Sequence, residues 1–226
     1  MPETEPILAA RALTVSRRVD AGLIRVLDGV GLTLEAGTLA DVVGPSGSGK
    51  STLLLALARL LPGVTGELEF EGEAAERIEP RLWRMRVAYL PQRNALQPGT
   101  VADNLTLPWR LKIREGAQAP DGSALRAALD RVRLTDVGLE RDVARLSEGQ
   151  AARITFVRTL MTGPRVLLLD EPDAALDAES SAEVGRLTRE FADAGGAVLR
   201  VRHHIADGLA DRRLRLEAGS LTEVAL

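Results

Sequence analysis

The sequence predicts an α/β fold in which a mainly parallel sheet is covered by helices. Short apolar runs of strand length alternate with longer segments of helical periodicity, and this alternation is typical of such sheets. One apolar run, at 39–43, leads directly into the glycine-rich loop GPSGSGKS at 44–51 and then into an apolar helix. Another run, at 166–169, ends in the adjacent carboxylates of Asp170 and Glu171. The glycine-rich loop and the two carboxylates are therefore the candidate positions for a functional site.

The first part of the chain predicts several short strands. The apolar runs are bounded by turn residues such as Asp28 and Gly29, as is usual for strands. The predicted strands are 7–15, 23–27, 31–34, 39–43, 68–70 and 87–90. The segment 51–61 is apolar nearly all round and stops at Pro62 and Gly63, which predicts a buried helix.

Residues 94–153 predict a helical subdomain inserted into a single domain of 1–226. Its apolar residues recur at helical spacing; they are Leu125, Ala128, Leu129 and Val132. Ser147 predicts the N-cap of a helix that continues to Gly163. After the strand at 166–169 we expect a helix with Val184, Leu187 and Phe191 on one face, and then a second buried strand at 197–201.

The loop at 44–51 fits the phosphate-binding pattern G-x-x-x-x-G-K-[ST]. Glycines at Gly44, Gly47 and Gly49 allow the backbone to approach phosphates, and Lys50 supplies a positive charge for the β- and γ-phosphates. The hydroxyl of Ser51 is expected to face Mg²⁺. The remaining loop residues of the predicted nucleotide site are Pro45, Ser46, Ser48 and Thr52. A chance glycine-rich turn is the alternative, but the loop lies between a predicted strand and a helix, as the motif requires.

The segment LSEGQ at 146–150 differs at Glu148 from LSGGQ, the signature of the ATP-binding cassette family. Together with the phosphate loop, the acidic strand, Gln92, ALD at 175–177 and His203, it makes nearly the whole chain resemble a transport ATPase subunit of that family. The resemblance implies a RecA-like P-loop NTPase core, an N-terminal antiparallel β subdomain and an inserted α-helical signature subdomain. Taken alone, LSEGQ would also fit an ordinary serine-capped helix start.

The resemblance implies ATP and Mg²⁺ as ligands and a homodimer that closes upon ATP binding. Glu171 corresponds to the general base, His203 to the residue that aligns the γ-phosphate, and Lys50 completes the catalytic set. Asp170 is expected to hold Mg²⁺ through water, with Ser51 and Gln92 as further metal contacts. An ordinary strand end followed by an aspartate cap is the alternative for the acidic pair.

The signature segment is expected to bind the γ-phosphate of ATP held by the other subunit. Ser147, Gly149 and Gln150 would provide this contact at a helix N-terminus, and Asp177 would couple the two copies. Glu148 departs from the family pattern, and we expect its side chain to point away from the nucleotide. The usual adenine-stacking aromatic residue is also missing, and Arg17 best fits its place because a guanidinium plane can stack on a base.

Composition limits the possible partners. The net charge of -3 gives no electrostatic reason to expect nucleic acid, and the absence of cysteine excludes disulfides and thiolate metal sites. No apolar run is long enough to span a bilayer. A chain without such a run can work at a membrane only through another polypeptide. The resemblance to transport ATPase subunits therefore implies a polytopic transmembrane permease subunit as partner, and a peripheral location at the cytoplasmic face of the inner membrane.

The kind of cassette protein is less constrained. The segment 100–109 resembles ATPase subunits of a bacterial transporter group associated with iron export, although Pro108 and Trp109 could equally start and anchor a helix. The alternative function is a cassette ATPase that moves no solute, either a clamp-type protein or a regulatory, weakly hydrolytic one. The short spacing between Lys50 and Asp170, without sustained heptads, argues against the long coiled coils of repair proteins.

Overall fold

A computed structural model describes residues 5–19, 22–202 and 207–226. The strands in these ranges are β1 (Leu8–Val19), β2 (Gly22–Leu34), β3 (Leu39–Val43), β4 (Thr65–Phe70), β5 (Glu73–Ala74), β6 (Val87–Leu90), β7 (Val166–Asp170), β8 (Ala197–Val201), β9 (Arg212–Glu217) and β10 (Ser220–Val224). The helices are α1 (Lys50–Leu57), α2 (Pro80–Arg86), α3 (Val101–Thr106), α4 (Gly122–Arg131), α5 (Glu148–Met161) and α6 (Ala178–Asp193).

The strands form two sheets. The first has the order β2-β1-β4-β5 and is antiparallel. The second has the order β10-β9-β3-β8-β7-β6; β3 pairs in parallel with β8 and β9, and β7 pairs in parallel with β8. β9 and β10 form an antiparallel hairpin at one edge. The predicted α/β class, with an N-terminal antiparallel sheet and a helical insert, is confirmed.

The chain divides into two compact units. The first comprises Met1–Tyr89, Pro164–Glu171 and Thr188–Leu226, and within its described residues it contains both sheets except Leu90, the last residue of β6. The second comprises Leu90–Gly163 and Pro172–Leu187, and contains α3, α4, α5 and the first part of α6. The bounds 94–153 for an inserted subdomain remain a prediction.

The first unit has an apolar core that includes two aromatic rings in contact. Phe70 and Trp83 are buried and meet edge to face, with ring centroids 6.2 Å apart. The indole Nε1 of Trp83 donates a hydrogen bond to the carbonyl of Leu57 at 2.9 Å, so its polar atom is satisfied. Burying side chains of this size contributes about 1.5–3 kcal/mol each.

Several predicted boundaries were wrong. β1 continues to Val19 instead of ending at residue 15, and β4 begins at Thr65 instead of residue 68. The segment around Asp28 and Gly29 does not end a strand: β2 runs through it, and the pairing with β1 absorbs the irregularity by register shifts. The first helix ends at Leu57 rather than Leu61, because Arg59 adopts a left-handed conformation with φ 55°. The Arg59 guanidinium holds that turn by donating to the carbonyls of Ala75 and Ile78.

The second unit confirms the predicted helices. The apolar stripe of α4 is buried, including Leu125 and Leu129. α5 begins after Ser147, as predicted, and ends at Met161. Arg153 of α5 donates to the carbonyl of Val132 at 3.0 Å, which ties the end of α4 to α5.

Candidate functional site

The phosphate-binding loop connects β3 to α1 as predicted. Lys50, the first residue of α1, is 5% exposed, and its Nζ donates to the carbonyls of Gly44 and Pro45 at 2.9 Å each. Carbonyl partners hold a buried ammonium in place at modest cost, and they are readily exchanged for phosphate oxygens. The side chain of Lys50 thus reaches back from the end of the loop to its first two residues.

Two glycines in the loop are required by close packing. A Cβ at Gly44 would collide with the carbonyl oxygen of Leu216, and one at Gly49 would lie 2.9 Å from the Val26 side chain. Gly49 also has φ 101° as the N-cap of α1, a conformation that side chains rarely adopt. Glycine at these two positions therefore lets the loop pack directly against β9 and β2.

Asp170 lies at the same end of the parallel strands as the phosphate loop. Val42 of β3 and Asp170 of β7 both pair in register with Val201 of β8, so the three residues form one row across the parallel strands. Two strand spacings separate Val42 from Asp170, which is about 10 Å. The loop begins at Gly44, and α1 packs against β7. The fold thus brings the predicted Mg²⁺ carboxylate to the end of the sheet that carries the loop.

The environment of Asp170 fits a bound cation. Asp170 is 3% exposed; its Oδ2 accepts a hydrogen bond from the Tyr89 hydroxyl at 3.1 Å, while its Oδ1 is buried without a hydrogen-bond partner. Ser48 Oγ in the phosphate loop is likewise buried without a partner. Buried polar atoms normally have hydrogen-bond partners, so these two oxygens are suited to contact a bound ligand.

Tyr89 was not among the predicted site residues. Burial and the neighbouring Asp170 carboxylate raise the pKa of Tyr89, so the phenol keeps its proton and acts as the donor. Tyr89 lies two residues after the start of β6. The apolar run around it predicted a strand, but nothing in the sequence indicated that its side chain belongs to the site. The contact with Asp170 depends on the pairing of β6 beside β7.

Glu171 follows β7 in a strained backbone conformation. Its φ is 50°, and its backbone N–H donates to the carbonyl of Val201 at 3.2 Å. A left-handed glutamate is uncommon, and such outliers often occur at functional sites. Glu171 is thus the first residue beyond β7, directly after Asp170.

The signature segment is built as a capped helix start in the second unit. Ser147 Oγ accepts from the Gln150 backbone N–H at 3.2 Å, and the Gln150 side chain accepts from the Ser147 N–H at 3.0 Å. Glu148 is exposed. A Cβ at Gly149 would lie 3.2 Å from the carbonyl oxygen of Ala175, so this glycine allows close approach to the segment ahead of Asp177.

The other predicted site residues are Asp177, Gln92 and His203, and the structure describes the first two of them. Asp177 caps α6, and hydrogen bonds from Ser180 lower its pKa. Gln92 is exposed in the loop after β6. His203 lies outside the described residues. Within the described residues no group of three or more His, Asp or Glu side chains is placed to hold a metal ion.

A cavity of about 420 Å³ lies beside the phosphate loop in the first unit. Ile24 and Arg25 of β2 line one side, and the turn at Glu217 and Gly219 lines another. Arg17 is exposed on β1 and pairs in register with Ile24, but it does not itself line the cavity. The cavity is large enough for the base and ribose of a nucleotide.

Replacing Arg17 by Ala is expected to weaken ATP binding several-fold more than replacing Arg11 by Ala, because only Arg17 would stack on the base. Arg11 is a matched control, since it lies on the same strand and pairs with Glu69 at 2.7 Å. Nucleotide Kd values from titration calorimetry make the comparison. Equal Kd values for the two variants would remove Arg17 from the site.

Fold and site together define a phosphate-loop nucleotide-binding protein. The sequence profile of the family described as ABC transporter matches residues 27–174. The chain is 38% identical to "Probable iron export ATP-binding protein FetA" of Escherichia coli K12 over 184 residues, 81% of this chain and 80% of that protein. It is 40% identical to "Lipoprotein-releasing system ATP-binding protein LolD 1" of Caulobacter vibrioides over 212 residues, 88% of this chain and 87% of that protein.

A solved structure has the same fold. The dimeric post-hydrolysis state of the ATP-binding cassette MJ0796 bound to ADP and Pi superposes with a TM-score of 0.82 at 24% identity, covering 97% of this chain and 98% of that one. This chain therefore belongs to the ABC transporter family, and it is an ATP hydrolase of that family. No helix in the part of the chain that the structure describes is long and apolar enough to cross a membrane.

Proposed function

We propose that this chain is the energy-supplying subunit of a bacterial transporter and acts as an ATP-closed homodimer on a separate polytopic permease. The observation that carries the proposal is the presence, in one chain, of an ordered phosphate loop and of a serine-capped signature helix. The first lies in one compact unit and the second in the other. The relatives described above are ATP-binding parts of transport systems, and they support the same role.

In the proposed mechanism Lys50 leaves its two carbonyl partners and binds the β- and γ-phosphates, while the N-terminus of α1 adds its dipole. Ser51, Gln92 and, through water, Asp170 would hold Mg²⁺, which neutralises phosphate charge when it is bound. The free Oδ1 of Asp170 supports that assignment. Glu171 takes the proton of the attacking water, and His203 aligns the γ-phosphate.

Each ATP is proposed to lie between the phosphate loop of one copy and Ser147, Gly149 and Gln150 of the other. Helix N-termini bind anions because their first N–H groups lack helical partners. The exposed N-terminus of α5 meets that requirement. Closure and reopening of the pair would move the permease through the segment near Gln92.

A mixing experiment tests the composite site. Lys50→Ala and Ser147→Arg should each reduce ATP hydrolysis by about 100-fold, because each removes a phosphate contact. An equimolar mixture should recover activity, since a mixed dimer keeps one site with both Lys50 and Ser147. Steady-state phosphate release measures the recovery.

The control mixture combines Lys50→Ala with the double variant Lys50→Ala/Ser147→Arg. No dimer in that mixture has an intact Lys50, so it should stay inactive. If the first mixture also stays inactive although both variants fold, each ATP is not shared between copies, and the dimer mechanism is wrong.

For the cargo we propose iron export. The segment 100–109 supports it, and so does the relative described as an iron exporter. The second relative is described as part of a lipoprotein-releasing system. Co-purification with a polytopic protein encoded nearby, followed by assays of iron-stimulated and lipoprotein-stimulated ATP hydrolysis, distinguishes the two.

A further inference from the structure

The strand β6 places one hydroxyl at the predicted metal carboxylate. Tyr89 is the single tyrosine of the chain, and its ring packs half-buried against the core of the first unit. The ring position is therefore set by packing, and its hydroxyl reaches Asp170 Oδ2 at 3.1 Å.

This contact leaves the two oxygens of Asp170 in different states. Oδ2 accepts from Tyr89, whereas Oδ1 is buried with no hydrogen-bond partner. The terminal torsion of an aspartate is broad and nearly two-fold, so packing of the carboxylate alone does not fix its rotation. A hydrogen bond to one oxygen does fix the rotation of the carboxylate. The direction in which the other oxygen points is then fixed as well.

We propose that Tyr89 is a positioning residue for Mg²⁺: by holding Oδ2 of Asp170 it orients the free Oδ1 toward the metal and its water shell. This inference rests on the proposed function, in which Asp170 supports Mg²⁺-ATP. Partners of metal-binding carboxylates commonly set ligand orientation, and their loss costs about 10- to 100-fold in metal affinity or activity.

The position of Tyr89 in the chain adds to its role. It ends the first of the three chain segments that form the first compact unit, and Leu90 begins the second unit. Gln92, another predicted metal contact, follows three residues after Tyr89. The donor to Asp170 and the glutamine that the sequence predicts as a metal contact are thus close together in the sequence.

The test is the substitution Tyr89→Phe, which removes one oxygen and keeps the ring. Mn²⁺ serves as the probe, and its binding is followed by electron paramagnetic resonance in the presence of a non-hydrolysable ATP analogue. We expect the Kd for Mn²⁺ to rise by about 10-fold, the lower end of the usual range, because Asp170 acts through water. Binding of the analogue without metal should be unchanged.

Kinetics give an independent readout. In Tyr89→Phe the Mg²⁺ concentration for half-maximal hydrolysis should rise by a similar factor, while the rate at saturating Mg²⁺ stays near that of the parent. A merely structural role would lower metal-free nucleotide binding as well. Thr14→Val is the control, because it removes a hydroxyl that accepts from the Gly29 N–H in the same unit, away from Asp170.

Two outcomes overturn the inference. If Tyr89→Phe binds Mn²⁺ as the parent does, Tyr89 does not orient Asp170, and the proposed function still stands. If the parent itself shows no metal-dependent nucleotide binding, the proposed Mg²⁺-ATP site fails and the role of Tyr89 fails with it.

Discussion

Replacing Glu171 by Gln is expected to reduce ATP hydrolysis by about 100-fold or more while ATP still binds, because the amide cannot take a proton from the attacking water. The amide keeps the shape of the side chain. The backbone contact of Glu171 with the Val201 carbonyl does not involve the side chain and should persist. Single-turnover phosphate release gives the rate, and size-exclusion chromatography with ATP should show an accumulated ATP-bound dimer.

Glu73→Gln is the matched control, since Glu73 is an exposed glutamate on β5 of the same unit. It should hydrolyse ATP at the parent rate and show no trapped dimer. Parent-like hydrolysis by Glu171→Gln would show that another group is the general base.

Replacing Arg200 by Met is expected to lower the free energy of unfolding by about 3–5 kcal/mol, because it leaves a buried carboxylate without its partner. Arg200 of β8 and Asp41 of β3 are register partners, and both are almost fully buried. The Arg200 guanidinium donates to Asp41 at 2.8 and 3.2 Å and to Asp207 at 2.9 and 3.1 Å. Urea denaturation measures the loss.

The Arg200 network also gives a pH dependence. Burial would raise the pKa of Asp207, but the hydrogen bonds and charge of Arg200 outweigh it, so the pKa of Asp207 lies below its ordinary value. A lowered pKa contributes stability that is present at neutral pH and is lost as the pH falls through that value. Arg200→Met should reduce this contribution, so that stability falls less steeply as the pH is lowered. The Leu209 N–H and Arg202 also lower the pKa of Asp207 and would remain.

Two further variants make the stability test specific. Arg25→Met removes an exposed pair with Asp28 and should change stability by less than about 1 kcal/mol. The double variant Asp41→Leu/Arg200→Met should recover much of the loss, because no unpaired charge then remains between β3 and β8. If Arg200→Met is as stable as Arg25→Met, the buried pair has no structural role.

Local sequence signals predicted much of the fold and of the first part of the site. The phosphate loop, the buried strand before Asp170 and the Ser147 cap are each specified by residues within one short segment. Such features depend on backbone freedom, capping and hydrophobic period, all of which can be read from neighbouring residues. The roles assigned to those residues remain predictions.

The remaining features of the fold and the site depend on contacts between residues that are far apart in the sequence. The sequence did not show that β2 continues through Gly29, that Arg200 would face Asp41, or that Tyr89 would reach Asp170. The residues of the last two pairs are 159 and 81 positions apart. The sequence by itself therefore determined which segments carry the nucleotide chemistry, through local propensity and motif spacing. Only the tertiary structure decided which charges and hydroxyls support them, because strand order and register bring distant side chains together.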